Sequence, residues 1–447
     1  PISLSLMDFL NELKWRGLFA QCTDEPALAA HLAGGVRKGY VGYDPTADSL
    51  TIGNLVTIML LAHLQRAGHA PVVIAGGGTG LIGDPSGKTA ERTILTREMV
   101  AANVESQKRI FGRLLDYSPT LSNRAVTLDN ADWLCSLSYI DALRDIGKHF
   151  SVNMMMQKDS VRDRLTNRDQ GISYTEFSYM LLQSYDYAHL FEKHGVTLQM
   201  GGADQWGNIV AGLDLIRRRR AGHGAAHPAA DGAAEQAGAF GLTAPLVTKA
   251  DGGKFGKTET GAIWLTADRT SPYAYYQFWL NAADADVPRF LRVFTLLPQA
   301  EVDAAIAAHE AEPGKREAHR LLAAAATELL HGKTEREHAE RAAKALFSGE
   351  VTGLTGRMLA EVFASVPSTD HSKASLEGEG VRIADLLVQV SLASSGREAK
   401  EFLAAGSVTV NGRKVGLDDR VRSADLLEGG VIAFRRGKKH WHLTRWA

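Results

Sequence analysis

Three stretches of this chain set polar or charged side chains beside glycine in ways that suit a phosphorylated ligand. The first is Gly76-Gly77-Gly78-Thr79-Gly80-Leu81-Ile82-Gly83-Asp84-Pro85-Ser86-Gly87-Lys88-Thr89, directly after the apolar run Pro71 to Ala75. Glycine lets a backbone approach a ligand closely. Asp84 offers a carboxylate to an ammonium, and Lys88 and Arg92, four apart, can face phosphate from a first helical turn. The second is Thr51-Ile52-Gly53-Asn54, which opens an apolar helical pattern. Free N–H groups at a helix start bind anions, and Gly53 leaves room for a flat ring such as adenine. The third, Lys254-Phe255-Gly256-Lys257-Thr258, carries two ammonium groups three residues apart, flanked by Gly252, Gly253 and Gly261. Lysines on such a loop suit a triphosphate whose charge shifts during reaction. Taken alone, the second segment reads more readily as a capped helix and the third as a solvated charged turn.

Two other phosphate motifs fit poorly. Gly78, Gly80 and Gly83 satisfy G-x-G-x-x-G, but a dinucleotide site needs a second strand with an acidic residue about 20 positions on, and Val100 to Ser106 is helical in pattern. Gly87-Lys88-Thr89 matches the end of a P-loop, but the first glycine should then stand at Ile82. His223 and His227 are four apart, with no cysteine or carboxylate cluster beside them to complete a metal site.

The elements that must position these groups follow from periodicity. Gly39 to Tyr43 reads as a strand turning at Asp44-Pro45, and a helix capped by Asp48 or Ser49 runs to about His63. Pro71 to Ala75 reads as a strand buried on both faces. Strand, helix, strand at this spacing predicts a parallel sheet. Residues 96–116, 140–165 and 174–193 are helical in pattern, Val196 to Met200 is strand-like, and 273–347 is mostly helical. Residues 221–240, with 9 Ala and 4 Gly among 20, read as a flexible insert.

Composition excludes several classes. The 447 residues are 45% hydrophobic and 23% charged, which rules out a disordered chain, a collagen or a coiled coil. The longest apolar run, Leu55 to Leu64, is about half of the roughly 20 residues a membrane helix needs. Cys22 and Cys135 cannot build a disulfide framework, so a cytoplasmic setting is expected, and no secretory signal is expected from the first residues. The net charge of -1 hides an asymmetry: Gly380 to Ala447 holds 12 Lys/Arg against 7 Asp/Glu, a net of +5, leaving -6 for the rest. Such asymmetry points to a nucleic-acid contact at one end.

Together, Thr51 to Asn54 and Lys254 to Thr258 resemble the HIGH-type and KMSKS-type motifs of class I aminoacyl-tRNA synthetases. Among these, the chain resembles the bacterial-type tyrosyl enzymes at Tyr40 to Leu50, Gly80 to Arg92, Lys148 to Asn153, Tyr174 to Met180, Gly201 to Asn208, Lys254 to Trp264 and Arg435 to Lys439. The resemblance implies an α/β fold: a Rossmann-like parallel-sheet catalytic domain (1–250), an α-helical tRNA-contacting domain (251–347), a linker (348–379) and a small α+β S4-type RNA-binding domain (380–447). The implied reaction joins tyrosine to ATP as tyrosyl-adenylate and passes the tyrosyl group to the 3′ end of tRNA(Tyr). Mg2+ would arrive with ATP, without a dedicated protein cage. A homodimer with tRNA crossing between subunits is also implied.

The resemblance also assigns residues. Tyr40 and Asp186 would grip the phenol, Asp84, Tyr179 and Gln183 the ammonium, and Gln199 and Gln205 the carboxyl and backbone. Tyr179, Gln183 and Asp186 share one helical stripe, a spacing a solvated polar face also has. Gly42, Asp44, Gly53, Asn54, Gly202, Asp204 and Lys257 would meet ATP. Thr46, Thr51, Lys88, Arg92, Lys254, Lys257 and Thr258 would stabilise the leaving pyrophosphate. Thr51 departs from the pattern, since the motif usually begins with histidine. At the C-terminal end, Arg397, Lys400, Arg413, Lys414, Arg435, Arg436, Lys438 and Lys439 would meet tRNA, with a hairpin turning at Asn411-Gly412. Two alternatives stay open: the related tryptophan enzyme, which a Tyr40–Asp186 pair disfavours, and an RNA-binding protein on a retired synthetase scaffold, which the loop lysines disfavour.

Overall fold

In the computed structural model, side chains and backbone are described for residues 8–84, 95–158, 161, 162, 165, 172–221, 238–250, 252, 253, 255–258, 261–364, 366–437 and 440–447, with backbone alone at 257, 258, 346 and 347. Six strands form the first sheet: β1 (Gln21–Cys22), β2 (Lys38–Tyr43), β3 (Ala70–Ala75), β4 (Val126–Asp129), β5 (Val196–Gly202) and β6 (Phe240–Ala244), in the order β1-β6-β5-β2-β3-β4. All neighbours run parallel except the β1–β6 pair. Every residue of β3 is buried, as its unbroken apolar sequence requires of a strand covered on both faces. The helix Ile52–Arg66 packs on β2, β3 and β5. The helices Tyr174–His194 and Trp206–Ala221 pack on each other and on β5. Tyr187 locks them to the sheet by donating to Phe240 O at 2.7 Å, and Gly212 makes room, since a Cβ there would lie 3.1 Å from the Tyr187 ring.

The chain divides into two units, Pro1–Thr270 with Ala283–Ala318, and Ser271–Ala282 with His319–Ala447. Residues 251–347 are therefore shared between the units. In the second, β12 (Arg413–Lys414), β11 (Val408–Val410), β14 (Val431–Arg436), β15 (His440–Trp446) and β9 (Ser368–His371) form a sheet in that order, and β10 (Val381–Arg382) pairs with β13 (Arg420–Val421); in the first, β7 (Lys257–Thr258) pairs with β8 (Gly261–Ala262). Alternation along β14 splits its side chains between two cores. Val431 and Ala433 join Leu359, Val362 and Phe363, while Ile432 and Phe434 join Ile383, Leu386, Leu387 and Leu403. The hairpin turns where expected, with Asn411 at φ 48 and Gly412 at φ 87, the positive values that a two-residue turn of this hand demands. No helix among the described residues is long and apolar enough to cross a membrane.

Several expectations need correction. The stretch 140–165 is not one helix. It passes through short turns from Tyr139 to His149, straightens at Phe150 and restarts as Val152–Met156. The helix predicted from Asp48 or Ser49 starts at Ile52, because Ser49 Oγ instead accepts the Thr266 N–H and Thr51 bridges Trp264. Residues 348–379, read as a linker, carry the helix Gly356–Val362 and β9, which pairs in parallel with β15. Strands β1, β4 and β6 were not anticipated; Phe240, placed at the end of the insert, begins β6. Most of the insert lies outside the described residues.

Candidate active site

At the C-terminal ends of β2, β3 and β5 lies a cleft of about 490 Å³. The strand order places it where the chain, having built β2, β3 and β4 outward, returns to the other side of β2 with β5. Such a reversal leaves a crevice in an open parallel sheet. Fifteen residues singled out from the sequence line it: Tyr40, Gly42, Asp44, Thr46, Thr51, Gly53, Asn54, Asp84, Tyr179, Gln183, Asp186, Gln199, Gly202, Asp204 and Gln205. Lys88, Arg92, Lys254, Lys438 and Lys439 lie outside the described residues. Lys257 and Thr258 form the short strand β7, which pairs with Gly261–Ala262.

The floor of the cleft is a fixed carboxylate. Asp186, 4% exposed, accepts from Trp133 Nε1 at 2.7 Å and from Asn130 Nδ2 at 2.8 Å. Burial pushes its pKa up to about 8, against these two donated bonds. The Tyr40 hydroxyl beside it is buried with no hydrogen-bond partner among the described residues. Burial, then the nearby Asp186 charge, holds the Tyr40 phenol well above its ordinary range. An unpaired buried hydroxyl is costly unless a ligand completes it. Gln199 Oε1 is likewise buried without a partner among the described residues.

A second set of bonds runs along the cleft from this floor. Asn130 also donates to Thr79 Oγ1 at 3.0 Å, Thr79 donates to Asp44 Oδ1 at 2.7 Å, and Asp44 Oδ2 accepts from the Tyr179 hydroxyl at 2.9 Å. Asp44, assigned from sequence to the nucleotide, thus shares a bond with Tyr179, assigned to the amino acid. Burial, then the Asp44 and Asp84 charges, raises the Tyr179 pKa well above ordinary phenols. On the opposite wall, Gln205 donates to Asp84 Oδ2 at 2.8 Å, Gln183 donates to Gln205 Oε1 at 3.2 Å, and Asn208 donates to Gln183 Oε1 at 2.9 Å. Carboxylates of Asp44, Asp84, Asp186 and Asp204 line the cleft, and no lysine or arginine does among the described residues.

Asn130, Trp133, Thr79 and Asn208 escaped the sequence reading. Asp129-Asn130 ends a parallel strand, a position from which side chains reach a site, but β4 itself was not recognised. The glycine-rich run needs a different explanation from the one its sequence suggested. A Cβ on Gly77 would lie 2.2 Å from Asp129 Oδ1, on Gly80 2.8 Å from Pro45 Cδ, and on Gly76 2.4 Å from Asp44 Oδ1. These glycines admit neighbouring protein atoms. Gly42 and Gly53 line the cleft without such crowding: a Cβ would meet its nearest neighbour at 4.0 and 3.6 Å, ordinary contact distances.

The two motifs meet through backbone. Ile52 N–H donates to Ile263 O, and Leu265 N–H donates to Leu50 O, both at 2.9 Å. Gly256, at φ 77, lies against the helix start; a Cβ there would be 2.4 Å from Ile52 Cγ2. Phe255 seats beside Phe290 and Phe294, with ring centroids 5.1 and 5.0 Å away. At the helix start, the Thr51 N–H and hydroxyl both donate to Asn54 Oδ1 at 3.0 Å. The two motif side chains therefore satisfy each other.

In the second unit, Arg397, Lys400, Arg413 and Lys414 are exposed. Arg435 and Arg436 are not free cations on a tail. Arg435 stacks over Trp441 at 5.1 Å, while Arg436 lies over Phe402 at 4.9 Å and donates to Leu392 O at 2.8 Å.

Comparison with known proteins agrees with this geometry. Residues 35–348 match the tRNA synthetases class I (W and Y), and residues 358–444 match a tyrosine–tRNA ligase SYY-like C-terminal domain. The chain is similar to the tyrosine–tRNA ligase of Roseiflexus castenholzii, 46% identical over 98% of this chain and 99% of that one. It is 47% identical to the corresponding ligase of Geobacillus kaustophilus, over 99% of this chain and 100% of the relative. Among solved structures, a C-terminally truncated mitochondrial tyrosyl-tRNA synthetase of Aspergillus nidulans superposes with a TM-score of 0.67 at 29% identity, covering 76% of this chain and 94% of its own.

Proposed function

The chain belongs to the class I tRNA synthetases of the W and Y family and ligates tyrosine to tRNA, and from that premise we propose how its residues share the work. Tyrosine lies with its phenol between Tyr40 and Asp186. The observation that carries this is the pairing of a buried hydroxyl lacking a partner with a carboxylate already held by Asn130 and Trp133. Phenylalanine would leave the buried Tyr40 hydroxyl unanswered, the kind of cost by which such a site tells tyrosine from phenylalanine. A tryptophan indole offers no hydroxyl to this pair.

The ammonium lies near Asp84, Tyr179 and Gln183, with Asp44 orienting Tyr179. Gln199 and Gln205 place the carboxylate. The adenosine lies along Gly42, Gly53 and Asn54 and reaches Gly202 and Asp204 with its ribose. A tyrosine carboxylate oxygen then attacks the α-phosphorus of ATP, forming the acyl–phosphate bond as the bond to pyrophosphate breaks. In the second step a terminal ribose hydroxyl of tRNA takes the tyrosyl group and releases AMP. The substrate carboxylate is already ionised, so no protein nucleophile is needed. Catalysis is positioning and charge stabilisation. Thr46, Thr51, Lys88, Arg92, Lys254, Lys257 and Thr258 serve the leaving pyrophosphate. Mg2+ comes bound to the ATP phosphates as part of the substrate.

The enzyme is proposed to be a cytoplasmic homodimer. The support is that Tyr139, Ile140, Val152, Met156 and Tyr174 are all exposed, with the Tyr139 and Tyr174 hydroxyls 3.4 Å apart; exposed apolar side chains that lie together mark protein interfaces. Tyrosine-dependent ATP–pyrophosphate exchange tests the assignment. Exchange with tyrosine, and none with tryptophan or phenylalanine at the same concentration, is expected; exchange with tryptophan alone would reverse it. Sedimentation at micromolar concentration tests the dimer, and a monomer would overturn that part.

A further inference from the structure

A second groove, of about 560 Å³, lies in the C-terminal module between the end of the helix Ile383–Gln389 and the first residues of β15. We propose that it receives one unstacked nucleotide of the bound tRNA, an inference that rests on the tRNA-ligating reading above. The exposed cations of the module would hold the RNA backbone in general, whereas this groove would fix a single residue of it.

The strand pairing creates the opening. The β9–β15 ladder stops at Ser368 and Leu443, with Leu443 N–H donating to Pro367 O at 2.9 Å. Pro367 has no N–H to continue the pairing. His440, Trp441 and His442 therefore run past their neighbour beside the groove. An unpaired strand edge offers main-chain donors and acceptors to whatever lies along it.

Side chains around that edge suit a nucleotide. Arg436 is held in place by its bond to Leu392 O and by the Phe402 ring, and a guanidinium with one N–H engaged keeps further donors for a phosphate. His442 is 6% exposed, and its Nε2 lies 3.2 Å from Thr369 Oγ1, which lies 2.8 Å from His371 Nε2. The single hydroxyl proton can serve only one of these nitrogens, so the other imidazole must donate to the oxygen. This fixes a rigid polar floor. Gln389, exposed at the rim, can donate and accept toward a base edge. No acidic side chain lines the groove among the described residues. Rings, an arginine and neutral hydrogen-bonding groups together are how proteins take up splayed-out bases.

The test uses the full-length protein and tRNA(Tyr) carrying 4-thiouridine. After irradiation, crosslinks are expected on the peptides containing Thr369, Gln389 or His440–His442. Gln389→Glu, an exposed change that sets a negative charge at the rim, should raise KM for tRNA about tenfold, the size of losing one base contact. Tyrosine-dependent exchange by the same samples reports whether the catalytic unit is intact. Crosslinks confined to the helix Gly396–Ala404, with KM for tRNA unchanged, would overturn the groove while leaving the module an RNA binder. Absence of crosslinks anywhere in 366–447 would remove the reading on which the groove rests. Hydrogen-exchange protection of His440–His442 by a bound polypeptide, and not by tRNA, would assign the edge to a protein strand and also overturn the proposal.

Discussion

In the catalytic cleft, Asp186 has both carboxylate oxygens taken by neighbours from a different strand end; in the C-terminal module, Arg397 pairs with Glu401 one turn along its own exposed helix. The first arrangement is long-range, buried and fixed before a ligand arrives. The second is local and solvated, and its ion pair is worth little. The contrast fits the two tasks. Telling one hydroxyl from none requires unpaired polar groups in a dry pocket, because only there is an unmade hydrogen bond costly. Holding a polyanion requires charges that tolerate many geometries. Arg435 and Arg436 show that a basic sequence alone does not sort residues into these classes, since both are engaged by aromatic rings within the module.

If the cleft depends on its fixed frame, the largest effect should come from Asp186→Asn. An amide in that place must turn one N–H toward Asn130 or Trp133, and kcat/KM for tyrosine in exchange should fall at least about 100-fold; a loss below tenfold breaks the contrast. The same variant tests the burial of the charge. The folded pKa of about 8 lies above that of a free carboxyl, so this group's contribution to stability is present at low pH and lost as pH rises toward 8. The melting temperature of Asp186→Asn should therefore decline less between pH 5 and 8 than that of the parent, and parallel declines would refute a raised pKa.

Trp133→Phe keeps the stacking surface against His189, whose ring lies 4.5 Å away, but removes one donor to Asp186. KM for tyrosine should rise roughly tenfold with little change in kcat, as expected for loss of one buried hydrogen bond. Thr51→His removes the hydroxyl bond to Asn54 Oδ1, keeps the backbone N–H bond to the same oxygen, and places an imidazole at the helix start. Exchange should quicken by up to about tenfold, with little change in melting temperature. An unchanged rate would show that the loop lysines already supply that charge in full.

The module should respond more weakly and in a different readout. Arg397→Ala with Lys400→Ala should raise KM for tRNA a few-fold and flatten its salt dependence by about two phosphate contacts, as measured by charging at several salt concentrations. Smallest on tRNA should be Arg435→Gln, which loses its stacking on Trp441 and should lower the melting temperature by a few degrees. A large tRNA defect without loss of stability would place Arg435 with the RNA-facing cations after all.

The parallel sheet was legible wherever a strand was apolar throughout, as at β3, because burial on both faces leaves that mark on the sequence. It was not legible at β4, Val126 to Asp129, a short half-buried edge strand, and with β4 unseen the two residues that hold Asp186 were unseen too. The break at Phe150 is hidden in a sequence of adequate helix formers. β9 is hidden because its polar residues, Ser368 to His371, become a strand only through pairing with β15.

The sequence by itself determined the residue types: a phenol and carboxylates for tyrosine, glycines and lysines for ATP, and a basic end for RNA. It also determined the local spacings that put Tyr179, Gln183 and Asp186 on one helical stripe. Tertiary structure alone decided which groups are held and which are left open. It clamps Asp186, leaves the Tyr40 hydroxyl without a partner, turns Gly76, Gly77 and Gly80 toward protein atoms and lays Arg435 on Trp441. The physical reason is that hydrogen-bond satisfaction and close approach depend on residues brought together from distant parts of the chain, while composition and periodicity report only what each segment offers on its own.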